Sequence, residues 1–192
     1  YAMKYSDDGG RSWSDQRYRL TLRRTACDTL ERDGQLVQMF WGIDKPKTSD
    51  GTAYFAFTKL GEYFLKQGEG WLFASDNILT ERDPHKIRWE LRPKGEHGIR
   101  ADVFGSVQEE HNLAAMSQTG HLACVYRLGG KHPAISYSRD SGKTWSLPQA
   151  MRYSPTGRVI RHPRACPRIW RCSNGKFLFW CHQHGGSSYP GR

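Results

Sequence analysis

The chain has 192 residues, 29 Lys and Arg against 19 Asp and Glu, a formal charge of +10, and 12% aromatic residues. Apolar runs of only a few residues exclude a membrane-spanning helix, and mixed charge with that aromatic content excludes a disordered tail. With 20 Gly and 9 Pro irregularly placed, a fibrous chain is excluded as well, and the length suits one domain or part of a larger one.

In chain order, Tyr1 falls inside a strand-like run that leads straight into a turn, so the chain is expected to start mid-domain, without a signal or targeting segment. Strands are predicted over 36–41, 53–57, 122–126, 134–137 and 176–180, from β-branched and aromatic content between turn residues. Residues 62–67 suit a short helical turn, and 80–86, with Asp83-Pro84, reads as an insertion loop. No long 3.6-residue pattern appears, so the fold class is all-β.

Two units repeat. A turn followed by a strand occurs at Asp33-Gly34, Thr119-Gly120 and Asn174-Gly175; Asp-Gly and Asn-Gly suit tight hairpins because the turn needs positive φ. A longer unit reads Ser-x-Asp-x-Gly-x-(Ser/Thr)-Trp at 6–13 and 138–145, with a degenerate copy within 75–89 split by the insertion. Its Asp can accept backbone N–H bonds inside its own turn, its Gly takes a conformation closed to other residues, and its Trp is expected to pin the turn to a sheet. The unit is a folding device. Gly120 to Gly175 spans 55 residues and Trp89 to Trp145 spans 56. A period of ~50 with several short strands per unit is that of a β-propeller blade, and 192 residues hold three to four.

Five cysteines, Cys27, Cys124, Cys166, Cys172 and Cys181, form no regular framework. With His182 and His184 they match no zinc spacing, so buried thiols are expected and no metal. From 141 to 192 there are nine Lys or Arg and no Asp or Glu, compatible with a solvated face, an acidic substrate or a nucleic acid. No nucleic-acid motif accompanies the charge, so that reading ranks last.

The eight-residue units resemble the Asp-boxes of the sialidase (neuraminidase) superfamily. The resemblance implies one sialidase-type propeller domain over 1–192, truncated at both ends and part of a six-bladed ring. It implies an exo-α-sialidase-like glycosidase that removes terminal sialic acid with retention, through a Tyr nucleophile, a Glu that activates it, an Asp acid/base and three arginines on the sugar carboxylate. It also implies export, a sialylated glycan or related acidic sugar as partner, and no cofactor. Glu110-His111-Asn112 runs through the Thr119-Gly120 turn to Arg127 and on to the unit at Ser138 in the order of the family segment, with about one extra residue in the turn. Glu110 then corresponds to the partner of the nucleophile and Arg127 to the second arginine, with Glu109 as the rival to Glu110. Arg192 fits the third arginine, with Arg164 or Arg168 as alternatives, and His111 and Asn112 are candidate pocket residues flanking Glu110.

The chemistry explains these residue types. A guanidinium fork pairs bidentately with a carboxylate. The carboxylate on the anomeric carbon repels an anionic nucleophile, so a Tyr serves instead, and a Glu takes its proton. The first arginine, the acid/base and the Tyr nucleophile have no counterpart in 1–192. Asp28 and Asp44 are the tempting substitutes for the acid/base, with Asp28 read as a structural residue at a strand start, and Tyr189 precedes the third arginine and does not fit the nucleophile. The fragment alone is expected to be inactive. Asp-boxes also occur in non-enzymes, so the alternative is a non-catalytic propeller that binds glycans or proteins. Linkage preference and oligomeric state stay open.

Overall fold

The computed structural model describes residues 2–130, 132–162 and 165–182. These form fifteen strands and, apart from two single 3₁₀ turns at Pro84–Lys86 and Asp102–Phe104, no helix. None of the described helical segments is long and apolar enough to cross a membrane. The strands are β1 (Ala2–Met3), β2 (Tyr18–Arg19), β3 (Leu30–Arg32), β4 (Gln35–Val37), β5 (Phe40–Trp41), β6 (Lys47–Ser49), β7 (Thr52–Lys59), β8 (Glu69–Ser75) and β9 (Glu90–Arg92). They continue as β10 (Gln108–Ala115), β11 (Leu122–Leu128), β12 (Pro133–Ser138), β13 (Gln149–Ala150), β14 (Arg168–Arg171) and β15 (Phe177–Trp180). The 36–41 run is split between β4 and β5, and 62–67 forms turns without a helix.

All pairings between strands are antiparallel. β5, β7, β8 and β9 make one sheet, with β6 also on β7, and β10 to β13 make a second in sequence order. The pairs β1–β2, β3–β4 and β14–β15 stand as two-stranded sheets, and among the described residues no sheet closes on itself.

The sheets stack face to face, and the sequence shows why. β7, β8 and β11 are apolar on both faces, as strands covered from two sides must be. Tyr54, Ala56, Leu72 and Ala74 of the first sheet meet Leu113, Leu122, Cys124, Tyr126 and Leu128 of the second. The outer face of the first sheet, Phe57, Trp71 and Phe73 with Phe40 of β5, packs against Leu20 and Leu22. The far face of the second, Ala114 and Val125, packs on Ile169 and Phe179 of β14 and β15. Each fully buried Leu or Phe contributes about 1.5–3 kcal/mol.

The eight-residue units share one bonding scheme. Ser12 N and Thr144 N donate to Asp8 Oδ1 and Asp140 Oδ1, each at 2.9 Å. The Ser12 and Thr144 hydroxyls donate to the second carboxylate oxygen, each at 2.6 Å. The backbone N–H of Gly10 and of Gly142 reaches the leading serine hydroxyl at 2.8 Å. In the split copy, Asn77 replaces the Asp, and its Oδ1 accepts from Arg88 N at 3.0 Å, one residue before Trp89. The insertion therefore loops out without breaking the turn. Trp145 packs on the core between the two large sheets, and its Nε1 donates to Gly142 O at 3.1 Å. Trp13, in contrast to the pinning role expected of it, is 57% exposed.

One hairpin differs from the sequence reading. The tip that stands beside Thr119-Gly120 is Asp50-Gly51, between β6 and β7: the Asp50 carboxylate accepts from Thr119 Oγ1 at 3.5 Å and from Gly120 N at 3.4 Å. Asp33-Gly34 instead tips the separate β3–β4 pair. Asp50 and Gly51 take φ of 50° and 74°, and Asp33 and Gly34 take 52° and 72°, so both tips meet the same local requirement.

Candidate functional site

The site begins where β10 starts and β11 ends. β11 reads Leu-Ala-Cys-Val-Tyr-Arg-Leu and all seven residues are buried. Arg127 is its one charged member, and a buried charge requires a partner. The register sets Glu109 directly across from it. Regular alternation would send Glu110 to the opposite face. The register slips between Glu109 and Asn112, however, and Glu110 takes φ of 61°. This bulge turns both carboxylates onto one guanidinium.

The two acids are held differently. Glu109 has its side chain fully enclosed; one oxygen accepts from Arg127 Nη2 and the other from the backbone N–H of Leu65. Glu110 Oε2 lies 3.0 Å from Arg127 Nε, yet neither atom has a hydrogen-bond partner among the described residues. The pair is in electrostatic contact without alignment. Burial raises the Glu110 carboxyl above the ordinary glutamate range; Arg127 opposes the rise, Glu109 adds to it, and Arg168 at the start of β14 opposes it. Cys166 stands close enough for its thiol to be pushed up to about 11, by burial and then by the Glu110 charge. A carboxylic group with a raised pKa beside a guanidinium keeps its proton to higher pH than an ordinary glutamate and can face an anionic ligand.

The loop 60–68 closes one side. It leaves β7 at Lys59, is bonded to Glu109 through Leu65, and returns to β8 where Gly68 N donates to Ser106 O at 3.3 Å. Gly68 is required there, because a Cβ would overlap the Gln108 carbonyl. The loop carries Tyr63 and Phe64, whose rings lie 4.2 Å apart, with Phe64 6.1 Å from Trp41.

His111 and Asn112, placed by the sequence in the pocket, have interior side chains. His111 is fully buried; its Nδ1 lies 2.9 Å from Thr58 Oγ1 and its ring stacks on Tyr126 at 4.3 Å. Burial depresses its pKa to about 3, so it is neutral. Asn112 Nδ2 donates to Val125 O at 2.9 Å and Pro167 O at 2.7 Å, and its Oδ1 accepts from Ile169 N at 3.0 Å. It replaces backbone partners lost at the bulge and ties β10 to β14. These bonds give both residues structural work, while His111 Nε2 has no hydrogen-bond partner among the described residues.

Asp28 is structural, as read. It anchors Lys59, whose side chain is fully enclosed. Lys59 Nζ donates to Asp28 Oδ2 at 2.7 Å, Arg23 O at 2.8 Å and Thr25 Oγ1 at 3.0 Å, while Gln38 Nε2 and Thr25 N also donate to Asp28. Burial would raise the Asp28 pKa, but these donors outweigh it and hold the group below its usual value. Asp44 pairs with Lys47 and accepts from Ala56 N at 3.1 Å, fixing the 42–46 connection to β7. Neither aspartate is placed as an exposed acid. Arg192, Arg164, His184 and Tyr189 lie outside the described residues. All five cysteines are free thiols, two buried and three half-buried, and among the described residues no cluster of His, Cys, Asp or Glu could hold a metal ion.

The sequence reading treated Glu109 only as a rival to Glu110 and gave Leu65 no role. The acidic doublet opposite a lone strand arginine was the available signal for Glu109. The loop contact had none.

Comparison with known proteins fits this geometry at the level of fold. A structure of a protein of unknown function from Dyadobacter fermentans superimposes with a TM-score of 0.63 at 13% identity, covering 93% of this chain and 43% of that one. The NanB sialidase of Streptococcus pneumoniae does so with a TM-score of 0.57 at 16% identity, covering 96% of this chain and 24% of that one. The likeness is one of fold. The chain spans less than half the length of either structure. No family model matches the sequence, and no curated protein does.

Proposed function

We propose that the chain is part of a sialidase-like glycoside hydrolase built on a six-bladed β-propeller, with the stacked sheets as blades and the eight-residue units as Asp-boxes. In this reading Glu110 is the base that takes the proton of a Tyr nucleophile, and Arg127 binds the substrate carboxylate. The carrying observation is the unaligned Glu110–Arg127 pair at a bulged strand end, where a carboxylate of raised pKa faces a guanidinium. The fold likeness to NanB supports the class of protein. The substrate is a terminal sialic acid on a glycoconjugate, whose carboxylate would take the Nε edge of Arg127 from Glu110.

The third arginine is assigned to Arg192, and Arg168, which already acts on Glu110, is its nearest alternative among the described residues. The Tyr nucleophile, the acid/base and the first arginine are assigned to the rest of the full-length protein. A fluorogenic sialoside tests the reading in that protein. Hydrolysis is expected, and Arg127→Ala should weaken substrate binding by about 2–5 kcal/mol, the cost of truncating a desolvated charge pair. An unchanged kcat/KM would remove Arg127 from the site.

A further inference from the structure

We propose that Glu109 is a positioning residue: it locks the Arg127 guanidinium and the 60–68 loop to each other and thereby leaves Glu110 as the carboxylate that meets the substrate. This rests on the reading of Glu110 and Arg127 just given and adds a residue and a loop to it.

Three observations carry it. The bulge brings two adjacent acids to one arginine, an arrangement that an unbroken strand forbids. The acids then divide: Glu109 is sealed with both oxygens bonded, whereas Glu110 keeps Oε2 without a hydrogen bond and a side chain 13% exposed. The Glu109 oxygen that Arg127 does not use holds Leu65, next to the Tyr63–Phe64 ring pair. Leu65 itself takes φ of 68°, a left-handed conformation that the bond to Glu109 helps to hold. One carboxylate therefore sets both the arginine and the loop that carries the aromatic pair.

The charged groups facing Glu110 are Arg127 on β11, Arg168 with Cys166 beside it at β14, and Glu109 on its own strand. Removing the Glu109 charge removes a repulsion and leaves both arginines. The test uses isotope-labelled protein without substrate. In the wild type, a scalar coupling from the Leu65 amide nitrogen to the Glu109 carboxyl carbon is expected; its absence with both resonances assigned overturns the proposal. In Glu109→Gln, which keeps an acceptor for Leu65 but no charge, the Glu110 carboxyl titration should move down by about one pH unit. An unmoved midpoint overturns the proposal. In Glu110→Gln the Leu65–Glu109 coupling should persist, and its loss would contradict the division between the acids. If Glu109→Gln does not fold, the wild-type coupling and the Glu110→Gln result decide. Failure of the full-length protein to cleave a sialoside would leave these signals intact, so the two readings fail separately.

Discussion

Two buried charge clusters hold one loop, one where it begins and one along its course, and they are built on opposite terms. At Lys59, where the loop begins, the ammonium makes three bonds, to Asp28, Arg23 O and Thr25, and so uses all its donors. At Glu109, where the loop is held, two carboxylates share one guanidinium, and an oxygen and a nitrogen are left without hydrogen bonds. The first cluster is saturated and has nothing to offer a ligand. The second carries an excess of acid and two unmatched buried atoms, which is a cost to the fold and, in the proposed reading, one that a substrate relieves. The two clusters thus differ in saturation, since burial is common to both.

The contrast can be broken first at the scaffold. Lys59→Met leaves Asp28 buried and unpaired, and urea unfolding should show a loss of about 3–5 kcal/mol. A loss below 1 kcal/mol would mean that the saturated cluster does not hold the fold. Acid unfolding sharpens the contrast next. His111 has a folded pKa of about 3 against an ordinary 6.5, so the unfolded chain binds the extra proton between these values. Stability should therefore fall as pH drops below 6.5, by on the order of 2 kcal/mol at pH 5. His111→Phe should flatten that limb of the profile, and an unchanged slope would remove His111 as its source.

Much of the fold was legible because turns and apolar strands announce themselves locally. Asp-Gly, Thr-Gly and Asn-Gly mark hairpin tips, and β7, β11 and β12 are predicted where they occur. Asp50-Gly51 was missed because Lys47–Ser49 carries no apolar residue to mark a strand before it. The candidate site was half legible. Glu110 and Arg127 come together, but through the bulge, because the hairpin register pairs Arg127 with Glu109. The bulge is not written in the residue types, since it rests on a glutamate at positive φ. Without it Glu109 and Glu110 cannot be told apart, and His111 and Asn112 appear to face a pocket. Their interior placement depends on Thr58 in β7 and on Pro167 just before β14, which lie 53 and 55 residues away in sequence.

The smallest stability effect belongs to Glu110. The Glu110 pKa is raised in the fold, so ionisation is penalised there relative to the unfolded chain. The penalty is absent below the ordinary glutamate value of 4.5 and grows as pH rises through the folded pKa. Glu110→Gln should match the wild type in acid and be slightly more stable at neutral pH, opposite in sign to Lys59→Met. Equal destabilisation of both variants in thermal unfolding would erase the distinction between the clusters.

The most direct test of the account is turnover of a fluorogenic sialoside by the full-length protein carrying Glu110→Gln. If the unsaturated cluster is the site and Glu110 its base, kcat should drop by about 10²–10⁴-fold while the fold is retained. An unchanged kcat would contradict the account.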